Sequence, residues 1–193
     1  MTAYNEFVKK PLFVVLAGGV GKNFAPLVTN KSIFPFFGKP LIEYTLEMIQ
    51  AAGATEALVV CNQENQQVVA NLISKLRITK VLQTNALGQA DALLLASHLI
   101  AADQPIVIVN AVDLIEPEFL KNFLKQASST YAQILGMRVK KYFLGGYLKV
   151  DEERVLGIVE KPARGEEPSD LANLFFHYFS KPQEFFALLT QYT

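Results

Sequence analysis

Val14–Leu41 reads VVLAGGVGKNFAPLVTNKSIFPFFGKPL. An apolar run stops at Gly18-Gly19-Val20-Gly21, and a polar, Pro-punctuated stretch follows, carrying Lys22, Lys31 and Lys39. From Pro40 onward apolar residues recur at helical spacing. This is a buried strand feeding a glycine-rich loop, the arrangement with which many α/β proteins build a phosphate site. Missing side chains admit phosphate oxygens to the backbone, and lysines add positive charge. The same residues also fit a tight strand-to-helix turn with solvated lysines.

Two common phosphate motifs do not fit. A P-loop requires Gly, four residues, then Gly-Lys-Ser/Thr. Here Gly21-Lys22 is followed by Asn23, and Leu16 stands where the first glycine belongs. The dinucleotide fingerprint needs a third glycine, but Gly19-Val20-Gly21-Lys22-Asn23 runs into Phe24.

Outward from this stretch, strand and helix patterns alternate. Strands are expected at Leu12–Ala17, Ala57–Cys61, Ile78–Gln83 and Pro105–Asn110. Helices are expected at Pro40–Ala52, Glu64–Leu76, Gly88–Ala102 and Glu116–Ala127, the first with Pro at its start and Gly53 past its end. Such alternation specifies a parallel, doubly wound sheet. After Ser128 the pattern changes to strands with short connections: Gln133–Val139, Tyr142–Val150, Val155–Lys161 and Leu171–Phe179. Asp151–Arg154 reads as a hairpin turn, Lys161–Asp170 as a polar loop and Gln183–Tyr192 as a helix. The fold class is therefore α/β: a Rossmann-like, three-layer α/β/α domain with a mostly parallel mixed sheet.

At 193 residues the chain is expected to form one domain, residues 1–193. Net charge is zero, which removes any broad electrostatic case for nucleic acid. No apolar run is long enough to span a membrane, and Met1–Lys10 is polar and mixed in charge, unlike a signal peptide. Cys61 is the single cysteine, so an intrachain disulfide or a cysteine zinc site is excluded. A cytoplasmic protein is expected. Self-association into a homo-oligomer is left open.

Asp113 follows the fourth long strand in VIVNAVDLIEPEF. Open α/β sheets bind ligands beyond the carboxyl ends of their strands. A carboxylate there suits Mg²⁺ shared with phosphate and water. It equally suits a helix cap, with Glu116 as capping-box partner. Gln83 ends the third strand, with a donor and an acceptor that match a pyrimidine edge, and Gly88 lets a planar base near the backbone. A surface amide and a plain helix start are the alternatives. His98 and His177 read as structural, and Phe175–Phe179 with Phe185-Phe186 as core or interface.

The whole pattern resembles the sugar-1-phosphate nucleotidylyltransferases. Their signature L-A-G-G-x-G-T-R, P-L, P-K, G-K-P-L-I is matched at Leu16-Ala17-Gly18-Gly19, Gly21, Pro26-Leu27, Lys31 and Gly38-Lys39-Pro40-Leu41-Ile42. Leu87-Gly88-Gln89-Ala90-Asp91-Ala92 resembles the family's G-T-A-x-A segment beside the nucleobase, with Gln89 for Thr. Glu160-Lys161-Pro162 matches an E-K-P element whose Glu and Lys contact the sugar phosphate. Gly145-Gly146 with Tyr147 resembles the glycine backing the sugar ring, and Asn173 the sugar-contacting asparagine.

The resemblance implies transfer of a nucleoside monophosphate from a nucleoside triphosphate to a sugar 1-phosphate, with release of pyrophosphate and formation of an NDP-sugar. Both reactants are anions, so the site must screen charge and align the attack. The implied nucleotide contacts are Leu16, Ala17, Gly18, Gly19, Gly21, Gln83, Gly88 and Gln89. The implied sugar-phosphate contacts are Gly146, Glu160, Lys161 and Asn173. Lys22, Lys31 and Asp113 are implied in catalysis, with Asp113 also the Mg²⁺ ligand. Lys22-Asn23 replaces the family's Thr-Arg and Val112 replaces a glycine before the aspartate; by the resemblance, the domain is expected to lack the usual C-terminal part, with its second acidic metal ligand. A module that keeps the fold and binding but has impaired catalysis is the alternative. A cytidylyl or molybdopterin-nucleotide transferase is the competing enzyme, disfavoured by the Gly-Lys-Pro-Leu-Ile and Glu-Lys-Pro elements.

Overall fold

The computed structural model describes residues 9–19 and 30–192. In chain order the elements are β1 (Leu12–Leu16), a 3-10 turn (Lys31–Ile33), β2 (Pro35–Phe36), β3 (Lys39–Pro40), α1 (Leu41–Ala51) and β4 (Glu56–Cys61). Then come α2 (Gln66–Ala70), β5 (Arg77–Leu82), α3 (Gln89–Ser97), β6 (Ile106–Asn110) and α4 (Pro117–Ala127). The last are β7 (Ala132–Arg138), β8 (Gly146–Asp151), β9 (Arg154–Glu160), β10 (Leu171–Phe179) and α5 (Pro182–Thr190).

β5, β4, β1 and β6 lie side by side and parallel, and β10 joins β6 antiparallel. β10 carries β7 along one edge; along the other it pairs with β8 at Ala172 and with β6 from Phe176 to Phe179. The sheet thus forks: β6 and the β8–β9 hairpin leave the same edge of β10 on either side of residues 173–175. β9 closes this arm as an edge strand.

Alternation along β1 explains the three layers, because successive strand residues face opposite sides. Phe13, Val15 and Ala17 join a core with Ile42, Leu46 and Ile49 of α1, Val69 of α2 and Leu120 and Phe123 of α4. Leu12 and Val14 face the other core, with Ala92, Leu93 and Ala96 of α3 and Phe186 of α5. No described helix is long and apolar enough to cross a membrane.

Several boundaries differ from expectation. The helix expected over Glu64–Leu76 is only the five residues of α2. Asn71 ends it by donating its N–H to Gln67 and Val68, and Ser74 Oγ then accepts the Leu76 N–H, a local turn that competes with helix. The strand expected from Tyr142 starts at Gly146, because the Tyr147 hydroxyl pins the preceding turn through Phe143 N and O. Tyr147 is therefore part of the core. His98 is the C-cap of α3 instead of lying within a helix.

Candidate active site

β1 and β6 end in register, Leu16 beside Asn110. An open cleft of about 400 Å³ lies beyond these ends. Leu16, Ala17, Gly18 and Gly19 form one wall, Asn30, Lys31 and Ser32 a second, Gln83, Gly88 and Gln89 a third, and Asn110 to Val112 the floor. Every expected nucleotide contact except Gly21 meets there, from β1, the end of β5 and the start of α3, together with Lys31. Gly21, Lys22 and Asn23 lie outside the described residues.

The cleft wall is fixed by a buried amide network that the sequence reading missed. Asn30 and Asn65 both donate through Nδ2 to Ala17 O, at 3.1 and 2.9 Å. Asn62 Nδ2 donates to Gly18 O at 3.1 Å. Asn65 Nδ2 also donates to Ser32 Oγ, and Ser32 donates in turn to Asn30 Oδ1. Asn62 Oδ1 accepts the N–H groups of Glu64 and Asn65, and Asn65 Oδ1 accepts the Asn62 N–H. In a planar trans peptide the N–H points opposite to the preceding carbonyl. Fixing the Ala17 and Gly18 carbonyls therefore also fixes the directions of the Gly18 and Gly19 N–H groups. That is how backbone donors are preorganised for an anion. The available signal was Asn62-x-x-Asn65 directly after the end of a buried strand, hidden by reading the segment as helix.

Gln83 is buried, and both amide hydrogens are engaged, with Gly88 O at 2.9 Å and Asp91 Oδ2 at 2.7 Å. These partners tie the end of β5 to the start of α3. Its Oε1 stands so near Gly18 that a Cβ there would lie 2.5 Å away, which is why the wall needs glycine at this position. Gly88 has φ +103°, a conformation L side chains rarely adopt. The expectation that Gln83 offers a base both a donor and an acceptor is thus corrected: only the acceptor is left for a ligand.

Lys39 also departs from the expected lysine cluster. It binds Glu47 and sits 4.2 Å over the Tyr44 ring, on α1 and outside the cleft. The Gly-Lys-Pro element serves the small β2–β3 ribbon and the entry to α1.

Asp113 does not cap α4. The N-cap is Glu116, with no side-chain cap bond. Asp113 Oδ2 instead accepts Asn110 Nδ2 and the backbone N–H of Phe175, each at 3.3 Å. Burial pushes its carboxyl above the usual range, opposed by these two donors and by the charge of Lys31. Thr45 Oγ1 donates to Ala111 O at 2.9 Å, fixing the strand-to-helix turn that presents the carboxylate.

Phe175 lies between Asn173 and His177, so Asp113 joins the cleft to the fork of the sheet. There Asn173 and Glu160 converge on Gly146: a Cβ on Gly146 would stand 3.0 Å from Glu160 Oε2 and 3.6 Å from Asn173 Cβ. Lys161, beside them, has φ +48° and donates its N–H to Gly145 O. His177 Nε2 meets Asn173 Oδ1 at 3.0 Å. Burial holds the His177 pKa down to about 4, so at neutral pH the ring is uncharged.

The depressed pKa has a stability consequence. Between the ordinary value of 6.5 and about 4, the unfolded chain binds a proton that the folded one refuses. Stability from this group is full above pH 6.5 and is lost as pH falls through that window, by up to ~3 kcal/mol. His177→Gln is expected to flatten the acid side of the stability curve, read as urea midpoints at pH 7 and 4.5. An unchanged slope would remove His177 as its source.

The family profile described as Nucleotidyl transferase matches residues 12–187. The chain belongs to this family. Glucose-1-phosphate thymidylyltransferase of Neisseria gonorrhoeae is 26% identical over 173 residues, covering 85% of this chain and 60% of that protein. The low-salt glycan biosynthesis nucleotidyltransferase of Haloferax volcanii is 28% identical over 182 residues, 86% of this chain and 48% of that protein. The chain thus spans roughly half to three fifths of these curated relatives. Among solved structures, UDP-glucose pyrophosphorylase complexed with UDP-glucose superposes with a TM-score of 0.78, at 21% identity, over 93% of this chain and 79% of that one. That likeness establishes the same α/β fold with its mixed, mostly parallel sheet.

Proposed function

We propose that the cleft binds UTP or dTTP, that the Gly146–Glu160–Asn173 cluster seats a sugar 1-phosphate, and that the protein joins them as an NDP-sugar. The observation that carries this reading is the position of Asp113, bonded on one side to Asn110 in the cleft and on the other to β10 between Asn173 and His177. A desolvated carboxylate between two candidate anion sites is costly unless something positive arrives with the ligand.

In the reaction a phosphate oxygen of the sugar 1-phosphate attacks the α-phosphorus of the triphosphate. The bond from that phosphorus to the oxygen bridging the β-phosphate breaks, and pyrophosphate leaves. The Gly18 and Gly19 amides, the start of α3 and Lys31 would hold the triphosphate. Glu160 and the Asn173 amide would hold sugar hydroxyls, and Lys161 the sugar phosphate. Gln83 Oε1 would accept the ring N–H of uracil or thymine, whereas cytosine presents an acceptor there. The thymidylyltransferase relatives support this lean.

Among the described residues no three acidic, histidine or cysteine groups converge as a metal cage. One carboxylate and the Asn110 amide oxygen suit Mg²⁺ carried in on phosphates, which needs few protein ligands. When bound, the ion would neutralise phosphate charge; Asp113, with Asn110, would hold it. A cytoplasmic location goes with substrates of this kind.

Pyrophosphate release, measured over UTP, dTTP, CTP, ATP and GTP with a set of sugar 1-phosphates, tests the reading. Turnover with UTP or dTTP exceeding that with CTP is expected. Lys31→Ala is expected to lower kcat/KM by about 10–100-fold, the loss of a charge-assisted contact. Nucleotide binding without turnover across the whole panel would replace this enzyme by a binding module.

A further inference from the structure

Residues four apart in a regular strand stand about 13 Å from each other, too far for two short side chains to bond directly. Asn173 and His177 nevertheless meet at 3.0 Å. The cause is an irregularity in β10. Against β7, Leu174 pairs with Leu135 and His177 with the very next residue, Ile134, so Phe175 and Phe176 are extra. Such a bulge bends its strand and re-aims side chains, and bulges gather beside active sites.

The bulge is held from outside β10. The Phe175 N–H goes to Asp113 Oδ2. The Phe175 ring lies over the His177 ring, with centroids 4.5 Å apart and planes 30° from parallel. His177 itself is buried, 8% exposed. The imidazole is thus fixed on one side by an aromatic ring and at Nε2 by the Asn173 amide. At neutral pH only one of its nitrogens carries a proton.

Which nitrogen that is decides what Asn173 presents. If Nε2 carries the proton, it donates to Asn173 Oδ1, and both amide hydrogens remain for a ligand. If Nε2 were bare, Asn173 would have to turn its NH₂ toward the ring and show its carbonyl instead. Glu160 already supplies an acceptor beside Gly146. A second acceptor would duplicate it, whereas a donor complements it, because each sugar hydroxyl both donates and accepts.

We propose that His177 is a positioning residue: with its proton on Nε2 it holds Asn173 as a donor, so that Asn173 and Glu160 together grip adjacent hydroxyls of the sugar. This rests on the sugar-binding assignment proposed for the Gly146 cluster. The effect belongs to the sugar and not to the nucleotide, since His177 does not line the cleft beyond β1 and β6.

Steady-state kinetics with the preferred substrate pair test it. His177→Leu fills the buried position with an apolar side chain and removes the donor. It should raise the KM for the sugar 1-phosphate about 10-fold, the loss of one oriented hydrogen bond, with the KM for the triphosphate within twofold of wild type. His177→Gln, which can still donate an amide N–H, should return the sugar KM to within about threefold. A role in packing alone would not separate the two KM values and would not be rescued by Gln. The second measurement needs no substrate. The chain has two histidines, so ¹⁵N-labelled rings compared with those of His98→Gln assign the His177 signals. They should show the proton on Nε2 at pH 7. A bare Nε2, an unchanged sugar KM in His177→Leu, or equal rises in both KM values would each overturn the proposal. Absence of turnover in the wild type is a different result: it removes the sugar assignment, and this inference with it, even where Nε2 carries its proton.

Discussion

Asp113→Asn is expected to make the protein more heat-stable at neutral pH while slowing nucleotidyl transfer by about 10²–10³-fold. The two effects share one cause. Burial raises the Asp113 carboxyl above its ordinary 3.8. A carboxyl raised in the folded state binds its proton more tightly there than in the unfolded chain. Its favourable contribution is therefore full below pH 3.8 and is lost as pH rises through the raised value. Above the raised value the carboxylate carries its charge at a cost to folding. Asn keeps an oxygen for Asn110 and Phe175 N but carries no charge, so that cost disappears. What is lost is the negative group that would hold a cation on the phosphates. Melting curves at pH 8 and pH 5 check the first effect: the advantage of the variant should shrink at the lower pH. Adding Mg²⁺ with UTP should raise the wild-type Tm more than that of the variant. A variant that melts lower than wild type at pH 8 would mean that the carboxylate stabilises the turn, and the role assigned to it would fall.

The fold was legible because its strongest signals are local. Leu12–Leu16 is apolar throughout, and β4 and β6 are apolar but for one polar end residue each, Glu56 and Asn110, as buried parallel strands tend to be; the edge strand β5, with Arg77 and Lys80, is the exception. The change to antiparallel pairing after Ser128 showed in the short connections. The forking of β10 and its bulge did not show, because pairing partners leave no mark in a strand's own sequence. Within the site, Gly18, Gly88 and Asp113 were legible as residue types with few uses at strand ends. The remaining contacts were settled by competition among partners: Lys39 went to Glu47 and Tyr44, and the Gln83 amide hydrogens to Gly88 and Asp91. In one dimension Asn30 and Asn62 look like ordinary loop residues, and Asn65 like part of a helix. Only their convergence on two carbonyls gives them a task.

Asn65→Leu should lower stability by about 2–5 kcal/mol, the range for breaking a buried polar network, and Tm by roughly 10 °C for a chain of this size. Asn65 is fully buried, and Leu branches at the same atom with the same number of side-chain heavy atoms, although its methyls are bulkier than the amide groups. The loss is polar. Asn62 N–H loses its acceptor, and Ser32 Oγ and Ala17 O each lose a donor. An orphaned buried group costs about 1–3 kcal/mol. Ala17 O keeps Asn30, so the strand end remains held on that side. Asn62, however, loses the partner that fixes its own backbone, and its Nδ2 is the group that holds Gly18 O. The Gly18 and Gly19 amides then lose that constraint. Pyrophosphate, which needs only the anion site, should bind more weakly at temperatures well below the variant's Tm. Asn62→Ala removes the Gly18 clamp while leaving Asn65 Nδ2 on Ala17 O and Ser32, and should reproduce the weaker binding at a smaller stability cost. Pyrophosphate affinity unchanged in both variants would show that the network serves folding alone, and that the strand end finds its orientation without it.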